Sequence, residues 1–263
     1  MNHDIVILQK HNALTEGALG NIKNGLAASI VGMEGSGVTV TCEHIVRTWR
    51  QNNPERPVYE FTVGPGEDNH LRFMQFLAGN ILGSEMPTPW GLHSPSELTL
   101  LIGEKIKKAD VGLIFMDRAD LAPDGLIDSL LTMVSKCHTK EKPIGMLLGA
   151  RRVEYQKSLF KRFSASRVGF AENLQPLDAS ELTTVITNLC PKFAQIEHLL
   201  KNNDKAAIDA IMELGRLTSG LFCRLSLFIM HLNDSDCEVE FNAAAMRKLW
   251  NKLIRLGGIA DAA

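Results

Sequence analysis

The sequence predicts an α/β protein in which a parallel sheet flanked by helices is followed by a small, all-helical domain. Up to residue 177, apolar runs alternate with amphipathic stretches. This alternation is typical of parallel sheets whose strands are covered on both faces. One apolar run leads into a glycine-rich loop and then a helical stretch, and from residue 178 only helical patterns occur.

We therefore divide the 263 residues into an N-terminal arm or short helix (1–25), an α/β core (26–177) and a helical lid (178–263). The net charge of −2 excludes a globally basic nucleic-acid binder, so any such surface must be local. The five scattered cysteines form no C-x-x-C pair, which argues against a disulfide framework and a zinc site. The N-terminus lacks the pattern of a signal peptide, and we expect a cytoplasmic protein without a membrane partner.

The elements follow from periodicity and turn signals. Serine at 94 or 96 is the expected N-cap of one core helix, and Asp178 with Glu181 has the spacing of a capping box. Strands are predicted at 26–31, 58–63, 111–117 and 144–149. Core helices are predicted at 39–49, 71–82, 96–108 and 121–137, with a surface loop at 83–95. Lid helices are predicted at 180–189, 204–215, 221–232 and 241–255.

The glycine-rich loop, GMEGSGVT, has the outline of a phosphate-binding P-loop, G-x-x-x-x-G-K-[ST]. Val38 stands where the lysine of that pattern would be. Backbone N–H groups of such a loop can cradle an anion without a side-chain charge. An ordinary strand-to-helix turn is the alternative. The candidate nucleotide-binding residues of the loop are Gly32, Gly35, Ser36, Gly37, Val38 and Thr39.

The apolar run GLIFMD ends in Asp117, at the place where a P-loop protein holds Mg²⁺. Thr39 and Asp117 are therefore the candidate metal ligands, and a helix cap is the alternative role for Asp117. Hydrolysis also needs a base that orients water, commonly a glutamate directly after this aspartate. Arg118 occupies that position, and a guanidinium does not accept a proton near neutral pH.

In their order and spacing, GMEGSGVT, DRADL and MLLGARRVEY resemble the motifs of AAA+ transposition regulators of the phage Mu B, TnsC and TniB type. The resemblance covers about residues 15–255. It implies an AAA+ core with a helical lid, ATP and Mg²⁺ as cofactors, and a homo-oligomer, as a ring or a filament, on double-stranded DNA. A transposase is the implied protein partner.

The resemblance also assigns roles to individual residues. Ala150 replaces the polar sensor residue of the family, and Arg224 resembles a second-sensor arginine of the lid. Arg162 and Arg167 resemble arginine fingers that would reach a neighbouring subunit's nucleotide. Solvated surface charges are the alternative for these two, and an ion pair on an apolar helix is the alternative for Arg224.

Residues 136–167 contain nine basic and two acidic side chains, a local charge of +7. Lysine and arginine contacts to phosphates dominate nucleic-acid affinity, so this segment is a candidate DNA path with nonspecific, backbone-directed binding. A basic face between subunits is the alternative. The candidate DNA-binding residues are Lys136, Lys140, Lys142, Arg151, Arg152 and Lys157.

With Val38, Arg118 and Ala150 replacing three polar groups, the sequence favours an AAA+ protein with impaired or absent ATP hydrolysis over an active enzyme. The expected function is a DNA-bound adaptor that recruits or regulates a transposase. The alternatives are an active DNA-dependent ATPase that uses non-standard residues and a helicase-loader-like protein-interaction subunit. ATP and Mg²⁺ are the expected ligands only if the pocket is not empty.

Overall fold

The computed structural model describes residues 8–64, 70–83, 94–163, 167–193, 196–234 and 240–255. These residues form two compact units. The sheet unit comprises Lys10–Met33 and Val38–Leu174. The helical unit comprises residues 8–9, 34–37 and the chain from 175 onward. The predicted loop at 83–95 falls mainly outside the described residues.

The sheet unit contains a five-stranded parallel sheet in the order β2-β3-β4-β1-β5. Its strands are β1 (Ala27–Gly32), β2 (Val58–Thr62), β3 (Leu113–Asp117), β4 (Gly145–Ala150) and β5 (Val168–Leu174). Its helices are α1 (Gln9–Lys23), α2 (Val38–Asn52), α3 (His70–Leu82), α4 (Pro95–Lys108), α5 (Asp124–Cys137) and α6 (Glu154–Arg162). The α/β fold class predicted from the sequence is confirmed.

Alternate side chains of the central strands enter two different cores. In β3, Leu113 and Phe115 pack with Ile22 of α1 and Trp49 of α2 on one face. Ile114 and Met116 face the other way and pack with helices α3, α4 and α5. Successive side chains of a strand point to opposite faces. The continuous apolar run of β3 therefore reflects burial on both faces, as expected for a parallel sheet.

Two elements of the sheet unit were absent from the sequence prediction, namely α6 and β5. Only the two ends of β5, Val168 and Leu174, are buried, and the residues between them are partly or largely exposed. An edge strand has one neighbour, and its polar residues Glu172 and Asn173 hide the apolar pattern that identifies buried strands. Ser94 caps α4 in a capping box with Glu97, so the first of the two proposed serines is the cap.

The helical unit contains α7 (Ala179–Leu189), α8 (Ile196–Lys201), α9 (Lys205–Thr218), α10 (Phe222–Asp234) and α11 (Ala243–Arg255). Its core includes Val185, Leu214, Phe228 and Trp250. The capping box of Asp178 and Glu181 at the start of α7 is confirmed. α8 is too short for a clear periodic signal and was not predicted. Within the described residues, no helix is long and apolar enough to cross a membrane.

Candidate nucleotide site

The candidate site in the sheet unit lies at the carboxyl ends of β3 and β4, next to the start of α2. β3 and β4 are neighbouring parallel strands, with Met116 opposite Leu148. Asp117 is the last residue of β3, and Ala150 is the last residue of β4. Residues that follow neighbouring parallel strands meet at one edge of the sheet, where α/β proteins commonly bind ligands.

Thr39, Asp117 and Arg151 form a hydrogen-bonded cluster at this edge. The Thr39 hydroxyl donates to Asp117 Oδ2 at 3.0 Å. The Arg151 guanidinium lies 3.6 Å from the same carboxylate oxygen and donates to Thr39 Oγ1 at 3.4 Å. The Asp117 side chain is 5% exposed and that of Arg151 is 31% exposed, so the ion pair is largely shielded from water. The two predicted metal ligands are therefore together, and an arginine joins them.

The second carboxylate oxygen of Asp117 is also engaged. The backbone N–H of Arg118 donates to Asp117 Oδ1 at 2.9 Å. Arg118 itself has φ +56°, a left-handed conformation that is uncommon for a residue with a side chain. Its side chain stands directly after Asp117, where a catalytic glutamate would be. Both carboxylate oxygens thus have partners within the protein.

A second acid–base pair lies beside the first and was missed from the sequence. Asp120 accepts from the backbone N–H of Arg151 at 3.0 Å, and its other oxygen lies 3.6 Å from Nε of Arg152. The Asp120 side chain is 5% exposed. A usable signal was present, since two acids follow one strand and two arginines follow its neighbour. Side chains of opposite charge that lie at one sheet edge are expected to form ion pairs rather than to be exposed separately to solvent.

The side of the site towards α2 is apolar. Val38 is 3% exposed. A Cβ at Gly149 would lie 3.5 Å from Val38 Cγ1 and 3.0 Å from Asp117 Oδ1. Burial raises the pKa of the Cys42 thiol well above its ordinary value, and the negative charges of Asp117 and Glu43 raise it further. Val38 therefore acts as a packing residue, and Cys42 stays a neutral thiol.

These residues do not fit a Mg²⁺ ion in their present arrangement. Magnesium requires oxygen ligands with free lone pairs in octahedral geometry. Thr39 Oγ1 donates its proton to Asp117 and accepts a hydrogen bond from Arg151, and the Asp117 oxygens accept from Thr39 and Arg118. A cation near both groups would also be repelled by the Arg151 guanidinium.

The tip of the glycine-rich loop belongs to the helical unit. Gly35 and Gly37 have φ of +83° and +98°. The Gly35 carbonyl accepts a hydrogen bond from the backbone N–H of Cys223, in the first turn of α10, at 3.0 Å. A Cβ at Gly35 would lie 2.2 Å from Cys223 Sγ. The positive φ thus favours glycine at position 35 independently of any phosphate, and the Cys223 side chain lies close to it.

Two further loop residues have defined positions. Ser36 is 4% exposed, and its hydroxyl is buried with no hydrogen-bond partner among the described residues. Gly32 ends β1 and pairs with Leu174 of β5. A buried hydroxyl without a partner is the one observation in the loop that favours a polar ligand.

The candidate arginines of the lid and finger have different surroundings. Arg224 is half-buried in the first turn of α10, and the described residues give it no ion-pair partner. Arg167 is in an ion pair with Asp128 at 2.9 Å and donates to the Thr132 hydroxyl. Arg162 ends α6, but its side chain lies outside the described part of the chain.

The basic segment is divided between two ends of the sheet. Lys136 is exposed in the last turn of α5, and Lys140 and Lys142 are exposed between α5 and β4, at the amino edge. Arg151, Arg152 and Lys157 follow the carboxyl end of β4. The six residues of β4 separate Lys142 from Arg151 by about 17–20 Å. Lys142 and Arg151 therefore lie at opposite edges of the sheet, whereas Lys157 lies on α6.

A third charged cluster lies in the helical unit. Glu213 of α9 accepts hydrogen bonds from Arg216 of the same helix at 2.6 and 3.1 Å and from Arg247 of α11 at 2.8 Å. The hydrogen bonds from Arg216 and then Arg247 lower the pKa of Glu213 to about 2. In the described parts of the chain, no group of three or more His, Cys, Asp or Glu residues has the arrangement of a metal site.

The structure is similar to solved structures of AAA+ proteins. The ORC2 protein of Aeropyrum pernix in its ADPNP–ADP complexes has a TM-score of 0.53 at 13% identity, covering 100% of this chain and 84% of that one. Domain III of the replication initiation protein DnaA from Thermotoga maritima has a TM-score of 0.55 at 16% identity, covering 95% of each. The A. pernix ORC1 protein in complex with DNA has a TM-score of 0.51 at 12% identity, covering 100% of this chain and 82% of that one.

No protein-family model matches the sequence, and no curated protein matches it. At these identities the similarity concerns the fold alone. It extends over nearly the whole chain, and the described architecture, a parallel sheet of order β2-β3-β4-β1-β5 followed by a helical unit, agrees with it. The chain has the AAA+ fold.

Proposed function

We propose that this protein is a catalytically impaired AAA+ protein that assembles as a homo-oligomer on double-stranded DNA and recruits or regulates a transposase there. The observation that carries the proposal is the chemistry of the site. Val38 is buried at the lysine position, Arg118 stands at the glutamate position, and the Arg151 guanidinium adjoins Asp117. The order of the sequence motifs supports the transposase as the partner.

Hydrolysis of a nucleotide requires a cation on the phosphates and a base near the attacking water. Neither a lysine at position 38 nor a carboxylate at position 118 is present to supply these functions. Nucleotide binding without turnover remains compatible with the loop, because its backbone and Ser36 offer polar groups. We therefore assign a bound nucleotide an architectural role in assembly.

DNA association is supported by the fold and by exposed charge. Lys157 and Lys161 lie four residues apart on the exposed side of α6, so they present one basic helix face. Lys136, Lys140 and Lys142 form a second basic group at the amino edge of the sheet. A protein of the same fold, ORC1 of A. pernix, has been solved in complex with DNA.

The direct test is a mobility-shift titration of the full chain on a duplex of random sequence at low salt, with and without ATP. We expect saturable binding that is insensitive to base sequence and weakens steeply as salt rises. Negative-stain imaging of the same samples should show rings or filaments. Absence of both a shift and an assembly at low salt would remove the DNA-bound adaptor from consideration.

The transposase is tested separately, in a strand-transfer assay with a purified transposase from the same genome and a plasmid target. We expect the protein to change the yield or the distribution of insertions. If the protein binds DNA but has no effect on strand transfer, the proposed assembly on DNA is retained and the proposed regulation of a transposase is rejected.

A second candidate function is a protein-interaction subunit of the helicase-loader type without DNA contacts of its own. Exposed apolar side chains favour it, since Ile208 and Met212 lie four residues apart on one face of α9 and are 36% and 66% exposed. Surface side chains of this size are typical of protein interfaces when they cluster. Failure to bind duplex, together with stable capture of a helicase, would select this candidate.

A further inference from the structure

One arginine lies where a P-loop protein holds its divalent cation, between the threonine after the loop and the aspartate after the neighbouring strand. The Arg151 guanidinium is 3.4 Å from the Thr39 hydroxyl and 3.6 Å from an Asp117 oxygen. These are the two groups that the sequence identifies as metal ligands. The guanidinium places a permanent positive charge beside both oxygen atoms and donates a hydrogen bond to the Thr39 hydroxyl.

The backbone of Arg151 is fixed on both counts that determine where its side chain starts, namely its place after a strand and a hydrogen bond of its N–H group. It directly follows β4, the neighbour of β3, and its N–H donates to the buried Asp120 carboxylate at 3.0 Å. Its guanidinium is therefore attached to a backbone position directly after the rigid end of β4. The charge is also required, because an Asp117 carboxylate that is 5% exposed needs a nearby cation or several hydrogen bonds.

We propose that Arg151 replaces the divalent cation of this site, so that the Thr39–Asp117 pair accepts Mg²⁺ or Mn²⁺ only after Arg151 has been removed. The protein then uses a covalently attached cation to hold β3, β4 and α2 in one arrangement. This inference deepens the proposed loss of hydrolysis, and it does not depend on DNA or on a transposase.

The neighbouring arginine provides a matched control. Arg152 also pairs with a buried aspartate, with its Nε 3.6 Å from Asp120. The Arg152 side chain is 68% exposed, however, against 31% for Arg151, and no contact with Thr39 or Asp117 is recorded for it among the described residues. Removing Arg152 takes away a positive charge one residue further along the chain, while Arg151 still adjoins Thr39 and Asp117.

The test is thermal melting of the full chain, with chelator and then with millimolar Mn²⁺, for the wild type and five variants, one of which is Asp117→Asn alone. We expect Arg151→Gln to lower Tm by about 3–6 °C in chelator, because it leaves a buried carboxylate without its cation. Mn²⁺ should restore a large part of that loss. The wild type, Arg151→Lys and Arg152→Gln should show no Mn²⁺ response, and Asp117→Asn combined with Arg151→Gln should lose the response of the single variant.

Three results would overturn the proposal. The first is a Tm increase of the wild type with Mn²⁺ that Asp117→Asn abolishes. The second is an Arg151→Gln variant that loses stability without any recovery in Mn²⁺. The third is an equal Mn²⁺ response in Arg152→Gln. If Arg151→Gln does not fold, the wild-type and Arg151→Lys measurements still decide the question through the first result.

The outcome is separable from the proposed function. Melting curves are recorded without DNA or transposase, whereas the adaptor role is measured by mobility shift and strand transfer. If the wild type binds Mn²⁺ at Asp117 and still assembles on DNA, only the proposal that Arg151 replaces the divalent cation is rejected. If the wild type shows no Mn²⁺ response and does not bind DNA, only the proposed adaptor function is rejected.

Discussion

Val38 carries a prediction at the scale of a single residue. Because it is 3% exposed, its side chain is part of the apolar packing between α2 and the strand ends. We expect Val38→Lys alone to yield no ATP hydrolysis, since Arg118 provides no base and Arg151 still adjoins Asp117. A phosphate-release assay measures this. Turnover that Asp117→Ala abolishes would contradict it.

The sequence predicted the meeting of Thr39 and Asp117 but not the role of Arg151. The first prediction rests on topology, because the start of α2 and the end of β3 converge at one sheet edge. Arg151 was grouped with the DNA-binding candidates because a run of basic residues gives no sign of which side chain turns inward. Only the position of the buried Asp117 and Asp120 selects the partner of each arginine.

Glu213 carries the second residue-scale prediction, which concerns pH. Its pKa in the folded protein is about 2, below its ordinary value of 4.5, so it stabilises the fold fully above about pH 4.5 and loses this effect as the pH falls towards 2. We expect Glu213→Gln to lower the free energy of unfolding by about 1 kcal/mol near pH 6, since both partner arginines are exposed.

Urea unfolding at several pH values checks this. The difference between wild type and Glu213→Gln should narrow steadily between about pH 5 and pH 3. A difference that is constant across this range would show that Glu213 acts through its shape and packing rather than through its charge. Arg255, a basic residue at the end of α11, offers a control position, since Arg255→Gln should not change the pH dependence.

The contact of the glycine loop with α10 carries the prediction at the scale of an element. Gly35 combines a positive φ with a Cβ position 2.2 Å from Cys223 Sγ. We expect Gly35→Ala to destabilise the helical unit by about 1–3 kcal/mol, from backbone strain and from the clash. Adding Cys223→Ala removes the sulfur atom and should recover part of the loss, as measured by chemical unfolding.

The matched control for the loop is Gly20→Ala in α1, where a Cβ would meet no atom within 4 Å. Helix propensity favours alanine there, so this variant should be neutral or slightly stabilising. If Gly35→Ala is as well tolerated as Gly20→Ala, the contact with α10 does not determine the residue at position 35.

Among the elements, those with strong periodicity or caps were predictable. The buried strands β1, β3 and β4 are continuous apolar runs, and α4 and α7 begin at capping boxes. α6 and β5 were not predictable, for a physical reason. α6 is short and highly polar, and β5 lies at an edge of the sheet, where β1 is its one partner among the described strands. An element that is buried on one side only has a weak apolar pattern in its local sequence, so its position is hard to predict from that pattern.

At the scale of the whole molecule, the division of the basic segment leads to a test of DNA binding. Lys157→Glu with Lys161→Glu reverses the α6 face, and Lys140→Glu with Lys142→Glu reverses part of the amino-edge group. We expect both pairs to weaken duplex binding, and the pair whose lysines contact the phosphates to weaken it more, because the two pairs lie on different elements.

The salt dependence of binding distinguishes real phosphate contacts from general repulsion. Neutral replacement of two contacting lysines by glutamine should reduce the slope of log K against log salt by about 2. Arg151 and Arg152 are left unchanged in these variants, because replacing them would also disturb the buried acids Asp117 and Asp120. Equal and unaltered slopes for both lysine pairs would exclude both groups from the DNA surface.

The position of Arg151 has a consequence for how the site responds to its surroundings. A free metal ion occupies a site in proportion to its concentration and leaves when a chelator removes it. A side chain attached one residue after β4 has a fixed and very high effective concentration at Asp117, and it cannot be diluted away. Changes in magnesium level, which alter the occupancy of an ordinary ATPase site, therefore leave this edge of the sheet in one permanent state.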